Sequence, residues 1–463
     1  MKIIKELKYI IILCLIVLTS CEEFVEVDAP NNRIVSEFVF EEEASARSAM
    51  QGIYNELFRL DFSSGFQNSI TNLAGLSADN LEVIRPTNAT FLEFQENEIL
   101  PDNNRNLAIW SSAYNMIYMT NALLEGLRSS KLPDEIISEL DGQARFVRAF
   151  TYFYMVNLYG DVPLILSTDY NYNATASRSP VQEVYDQILY DLEEAIALLP
   201  ETYLENERIY ANKYAALSLL ARTHLYLENW ELAEEYSSQV ILQQQSYELL
   251  DDPNEVFLKN SREAIWQISP LGRGNSATQT NEGALYLIEQ EQTSFYNLSL
   301  TEDLVEIFDE SDERYMNWID YSETEAVFFA QKYKDRNSTN NLTEYSMVFR
   351  LAELYLIRAE SRFMMGKTSL AIEDLNIIRR RAGIEEVTNS NWTVETFQKI
   401  ILEERRREFF TEWGHRWLDL KRIGLSDEIL SLKKEFWEAT DILYPIPAEE
   451  RMKNTNLTQN NGY

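Results

Sequence analysis

Cysteine is almost missing from the 463 residues: Cys14 and Cys21 are the only two, and both lie in the first 21 positions. No later residue can form an intrachain disulfide, and thiolate metal chemistry is excluded from the body of the chain. Histidine is as scarce. With His224 and His415 alone, a histidine-rich metal centre or a two-histidine mechanism is not expected. Positive charge is in the minority too, 41 Lys and Arg against 75 Asp and Glu, for a net charge of -34. A surface that acidic repels phosphate backbones, so nucleic acid is not expected as a partner. Beyond the N-terminus no apolar run is long enough to span a bilayer. These absences count against many enzyme classes, and no cofactor is implied.

What is present begins with an address. Lys2, Lys5 and Lys8 precede an apolar run from Ile10 to Leu18, the pattern of a secretory signal, too short to cross a membrane stably. It closes on Leu18-Thr19-Ser20-Cys21, which resembles the lipobox of bacterial lipoproteins and implies lipidation at Cys21. Glu22, Glu23, Glu26 and Asp28 then form an acidic tether. Lasting attachment needs more than one acyl chain, because a single chain binds only marginally.

The body has enough material for one large core or two to three ordinary ones. Its pattern is mostly helical. Residues 41 to 58 and 108 to 127 read as helices, the second with a stripe of Trp110, Tyr114, Ile117, Tyr118 and Leu124 that keeps the helical period and reads as core. Between them, Asp61 to Arg105 is polar with few regular signals. Residues 211 to 243 and 349 to 383 repeat one plan, a helix, a short turn and a second helix, with alanines twelve apart: Ala221 with Ala233, and Ala359 with Ala371. This resembles the tetratricopeptide repeat. Two less regular pairs, 138 to 159 with 181 to 199 and 41 to 58 with 108 to 127, would bring the scaffold to about four helix pairs, stacked because no pair buries its apolar face alone. Short strands are expected at Glu263 to Ile268, Lys332 to Lys334 and Ser346 to Phe349. Residues 269 to 297 read as a long loop, and loops of that length are seldom idle.

Ala144 to Leu164, ARFVRAFTYFYMVNLYGDVPL, is apolar on more than one face and predicts an enclosed helix. Gly160 and Pro163 stop it. Arg145 and Arg148 on one edge are expected to pair with carboxylates. Near the other end, ILEERRREFFTEWGHRWLDLKRIG (401 to 424) carries a dense charge run, read as a salt-bridged helix with Glu403 and Arg407 in the favourable i,i+4 order. His415 has no second histidine near it in sequence, so a hydrogen-bonding role is expected over general-base work, which needs a positioned partner.

These stretches resemble the SusD/RagB family of outer-membrane nutrient-uptake lipoproteins. The resemblance rests on the 144 to 164 helix, on Glu404-Arg405-Arg406 with Glu408, on Gly414 to Trp417, on Asp419-Leu420 with Arg422, and on the ending Tyr444-Pro445-Ile446-Pro447 through Gln459-Asn460 and Gly462-Tyr463. It implies a SusD-like fold of tetratricopeptide-like helix pairs with long irregular loops and a few short strands. The chain then divides into a signal peptide (1 to 20), a lipidated acidic tether (21 to 40), an N-terminal SusD-like helical region (41 to 262) and a C-terminal RagB/SusD region (263 to 463).

The resemblance also implies a non-enzymatic surface lipoprotein, facing outward. It would capture an oligomeric nutrient, a glycan or sometimes a peptide, for a TonB-dependent transporter of the SusC/RagA type. Such a site needs aromatic faces to stack on sugar rings and polar side chains for hydroxyls, carried on loops because the helices are committed to stacking. The candidates are Asn80, Arg85, Phe91 and Phe94 in the first long segment, and Tyr286, Phe295 and Tyr296 in the second. Metal ligands are not implied. Two other classes stay open: a surface glycoside hydrolase, which needs two carboxylates held roughly 5 to 9.5 Å apart around one bond, and a structural adaptor of the transporter without a ligand site.

Overall fold

The computed structural model describes residues 39–288, 298–388 and 391–463. Cys21, the signal and almost all of the tether lie outside these residues. The chain runs through helices α1 (Glu43–Arg59) and α2 (Ile70–Ser77), strand β1 (Leu81–Val83), then α3 (Ala89–Gln95), α4 (Asn104–Arg128), α5 (Asp134–Tyr159), α6 (Val181–Leu198), α7 (Lys213–Tyr226) and α8 (Trp230–Ile241). After β2 (Ala264–Ile268), α9 (Asn281–Tyr286), β3 (Leu298–Leu300), β4 (Ile319–Ser322), β5 (Val327–Ala330) and β6 (Ser346–Arg350) come α10 (Leu351–Met364), α11 (Thr368–Arg381), α12 (Val394–Phe409) and α13 (His415–Ile423). Among the described residues no helix is long and apolar enough to cross a membrane.

The enclosed helix expected from the sequence is α5. Asp134 and Glu135 occupy its first turn, where carboxylates meet the positive end of the helix dipole. From Phe146 to Tyr159 every side chain is buried. Gly160, at φ 71°, ends it in a conformation that costs glycine nothing. The rings of Phe146 and Phe150 meet Trp266 edge-to-face at 4.7 and 5.1 Å, and Phe150 meets Trp413 at 5.1 Å. Aromatic pairs in this geometry add to the area they bury. One core therefore joins α5 to the C-terminal signature.

The repeat plan is realised as α7 with α8 and α10 with α11, and α5 with α6 forms a third pair. Ala221, Ala233, Ala359 and Ala371 are all fully buried where the paired helices touch. The remaining pair is looser: α4 packs mainly on α5, and α1 lies against both. Arginines, buried or half-buried, staple the stack. Arg148 reaches Asp191 of α6 at 2.7 and 2.8 Å, with Arg145 on the same carboxylate at 3.3 Å. Arg358 spans α10 and α11 to Asp374.

β2 and β6 make an antiparallel ribbon, while β1, β3, β5 and β4 form a second antiparallel sheet in that order. The strand expected at 332 to 334 falls instead at Val327–Ala330, where it pairs with β4. Lys332 is buried, its ammonium on the carbonyl of Glu408 and the Glu412 carboxylate. Both long segments are more ordered than their polarity suggests. Asp61 to Arg105 holds α2, β1 and α3, and 269 to 288 holds α9.

The charge run is the salt-bridged helix expected, with Glu403 paired to Arg407, but most of its ion pairs are buried and reach other elements. Glu404, Arg405, Arg406 and Glu408 of α12 are buried. Glu408 binds Arg314, Arg350 and Arg381, and Glu404 binds Arg314 and Arg379. Burial alone would raise the Glu408 carboxyl, yet the guanidiniums of Arg381, Arg350 and Arg314 hold it well below the usual range. His415 is buried against the Phe409 ring and 3.3 Å from Arg405. Burial, with Arg222 and Arg405 nearby, pushes its basicity far down, so it stands neutral in the core.

Candidate functional site

Two long segments leave the helical stack and meet in the four-stranded sheet. Val83 at the end of β1 lies opposite Leu298, the first residue of β3. Phe328 of β5 lies opposite both Leu300 and Tyr321. Beyond that edge, Arg85 from the first segment donates to the carboxylate of Glu325, which lies past the second, at 2.9 Å. Glu325 sits in the β4–β5 turn, where its amide donates to Ser322 Oγ and Ala326 takes a positive φ of 55°. Beside them the Tyr321 and Phe328 rings touch at 4.9 Å, inclined by 60°. Tyr321 is 41% exposed and Phe328 half-buried. An exposed aromatic edge beside a guanidinium and a carboxylate can stack on a ring and bond its hydroxyls.

The other sequence candidates are placed differently. Phe91 is fully enclosed beneath the Arg105 guanidinium, 3.6 Å from its ring centroid. Phe94 is enclosed too and meets Tyr444 edge-on at 5.3 Å. Asn80 is buried and accepts from Arg406 Nε at 2.8 Å. Tyr286 is buried with its hydroxyl on Asn72. These four hold the segments to the scaffold, so Arg85 alone among the described candidates reaches the surface corner. Phe295 and Tyr296 lie outside the described residues.

Tyr321, Phe328 and Glu325 escaped the sequence reading. A signal existed: Ile319-Asp-Tyr-Ser, four turn residues and Val-Phe-Phe-Ala read as a hairpin, and hairpin aromatics face one another. Among the described residues no group of three or more His, Cys, Asp or Glu is placed to hold a metal ion.

A stack of helix pairs with an irregular sheet-bearing face defines a repeat scaffold that presents a binding surface. Residues 47–226 match the family model described as "Starch-binding associating with outer membrane", and residues 319–463 match that of the SusD family. The chain belongs to the SusD/RagB family. It is 26% identical to SusD-like protein P25 of Formosa agariphila, over 96% of this chain and 97% of that one. In fold it is similar to a SusD superfamily protein from Bacteroides vulgatus, with a TM-score of 0.81 at 20% identity, covering 92% of this chain and all of the other. It is also similar to surface glycan-binding protein A from Bacteroides thetaiotaomicron, solved in complex with laminarihexaose, with a TM-score of 0.77 at 19% identity over 90% and 99% of the two chains.

Proposed function

We infer that this protein is a cell-surface lipoprotein, anchored through Cys21, that captures an oligomeric glycan and hands it to a SusC/RagA-type TonB-dependent outer-membrane transporter. The observation that carries the reading is the Tyr321–Phe328 pair beside Arg85 and Glu325, on a scaffold whose structural relative was solved with a bound glucan. The rings supply stacking area and the ion pair supplies a donor and an acceptor for hydroxyls. Stacked helices leave extended surfaces for the transporter.

Capture without chemistry fits the carboxylates. Glu404 and Glu408 are saturated by arginines. Glu282 and Glu344, both pushed by burial up to about 7, are enclosed and out of a polymer's reach. A glycosidase needs a reachable pair around the scissile bond.

The test titrates the full chain with neutral oligosaccharides and with peptides by calorimetry, with product analysis on the same samples. Saturable binding of an intact oligosaccharide, weakened by Tyr321→Ala, supports the reading. Cleaved ligand points to the hydrolase, peptide binding alone to a different cargo, and no binding of either to the adaptor.

A further inference from the structure

A second cleft lies across the molecule's helical stack, at the ends of α6, α7 and α8. It measures about 700 Å³, within the usual range for ligand sites. Its walls are the turn 201 to 206 and the run Gln243-Gln244-Gln245 that follows α8. Tyr203 and Tyr214 give it aromatic faces, and Asn206 adds a fourth amide.

The walls are fixed from behind. The Tyr203 hydroxyl is 2.6 Å from that of Tyr247 and donates to the Ile265 carbonyl at 2.7 Å. The Arg208 guanidinium stacks over both rings, 5.0 and 5.1 Å from their centroids, and donates to the Ser246 carbonyl at 2.7 Å. Arg262 donates to the carbonyls of Gln244 and Gln245 at 3.0 and 3.4 Å. The turn opposite is strained: Glu205 and Asn206 take positive φ of 53° and 59°, which costs a non-glycine residue energy and persists only where its surroundings enforce it. Yet the side-chain amides of Asn206, Gln244 and Gln245 make no hydrogen bond to any described residue. A rigid frame thus presents uncommitted amides.

We propose that this cleft is a second carbohydrate-binding site, for a neutral oligosaccharide, separate from the β4–β5 corner. Each amide offers a donor and an acceptor side by side, matching vicinal hydroxyls, and a rigid frame lowers the ordering cost of binding. Glu201 is the only ionisable acid or base besides tyrosine on the lining and is paired with Lys213 at 3.0 Å, so nothing favours an anionic ligand. The lining is helix ends and a turn, with no strand edge for a peptide backbone to extend.

The site stands or falls apart from the reading of the β4–β5 corner, because hydrogen exchange locates each separately. The full chain is incubated with laminarihexaose, maltohexaose, cellohexaose, xylohexaose and mannohexaose in turn, and with a neutral hexapeptide. At least one oligosaccharide is expected to slow exchange at 203 to 206 and 243 to 247 by about threefold or more. Gln244→Ala with Gln245→Ala, both exposed, should abolish that protection and leave any at 319 to 330 unchanged. Protection by the peptide alone, persistence in the double variant, or no protection in the two segments with any sugar would overturn the proposal.

Discussion

The Arg222 guanidinium lies flat against the Glu353 carboxylate, with Nε and a terminal nitrogen each 2.6 Å from an oxygen, and both side chains are almost wholly buried between α7 and α10. The same guanidinium donates to the Tyr154 hydroxyl of α5 at 2.9 Å. Three helices therefore converge on one charge.

Removing one member of that pair leaves the other charged and enclosed. Glu353→Leu is expected to cost about 3–5 kcal/mol, while adding Arg222→Met should recover most of the loss, because an apolar replacement of a buried pair is often neutral or better. Urea unfolding of the two single variants and the double variant checks this. Equal loss in single and double variants would mean that the pair itself, rather than the orphaned charge, sets the stability.

Tyr321→Ala and Phe91→Ala separate a surface ring from an anchoring one. Tyr321→Ala should leave stability within about 0.5 kcal/mol of the parent and weaken oligosaccharide binding about tenfold. Phe91→Ala should lower stability by about 3–5 kcal/mol with affinity per folded molecule retained. Calorimetric titration and thermal unfolding of each variant give both readouts. The opposite pattern would move the site to α3.

Burial pushes the Glu282 carboxyl up to about 7, opposed by a 2.6 Å bond from Ser346 and reinforced by Glu344 and Glu412. The unfolded chain releases this proton near pH 4.5, the folded chain only near 7. Between those values the native state binds more protons, so stability falls as pH rises, by about 3 kcal/mol at most from this group. Glu282→Gln should flatten that slope and be the more stable protein at pH 8. Denaturant midpoints at pH 5, 6, 7 and 8 test it, and parallel curves for both proteins would refute the assignment.

Gly414 and Gly424 flank α13 with similar left-handed φ, 65° and 75°, but a Cβ at 414 would sit 2.7 Å from that of Ala74 while one at 424 meets nothing within 4 Å. Gly424→Ala should cost about 1–2 kcal/mol for the backbone alone. Gly414→Ala should cost about 2–4 kcal/mol, with overpacking against α2 added. Equal melting temperatures would show that α2 yields freely.

What the sequence reveals follows the reach of each signal. α5 and the repeats are legible because helical periodicity is local, and Ala221 and Ala233 declare close packing by their size. Phe91, Phe94 and Tyr286 mislead because residue type in a polar stretch does not say which way a ring turns. Phe91 is buried by Arg105, fourteen positions on, and Tyr286 by Asn72 from another segment. Tyr321 went unread because β4 and β5 have four residues each and are held in the sheet by pairing with each other and, through β5, with β3. The run around Glu404 and Glu408 fits i,i+4 pairing locally, but its partners Arg314, Arg350 and Arg381 are distant in sequence.

Gln459 and Asn460 close the core at the end of α5. Asn460 donates to the carbonyls of Tyr159 and Tyr444 at 2.9 and 2.8 Å, its side-chain oxygen takes a bond from Arg178, and Gln459 exchanges bonds with Ile446. The end of α5 is thus covered by a residue 301 positions further along the chain. Contacts of such sequence separation form slowly. The cover over the end of α5 is non-local: without the Asn460 amide, the Tyr159 and Tyr444 carbonyls would each lose a donor in the buried core.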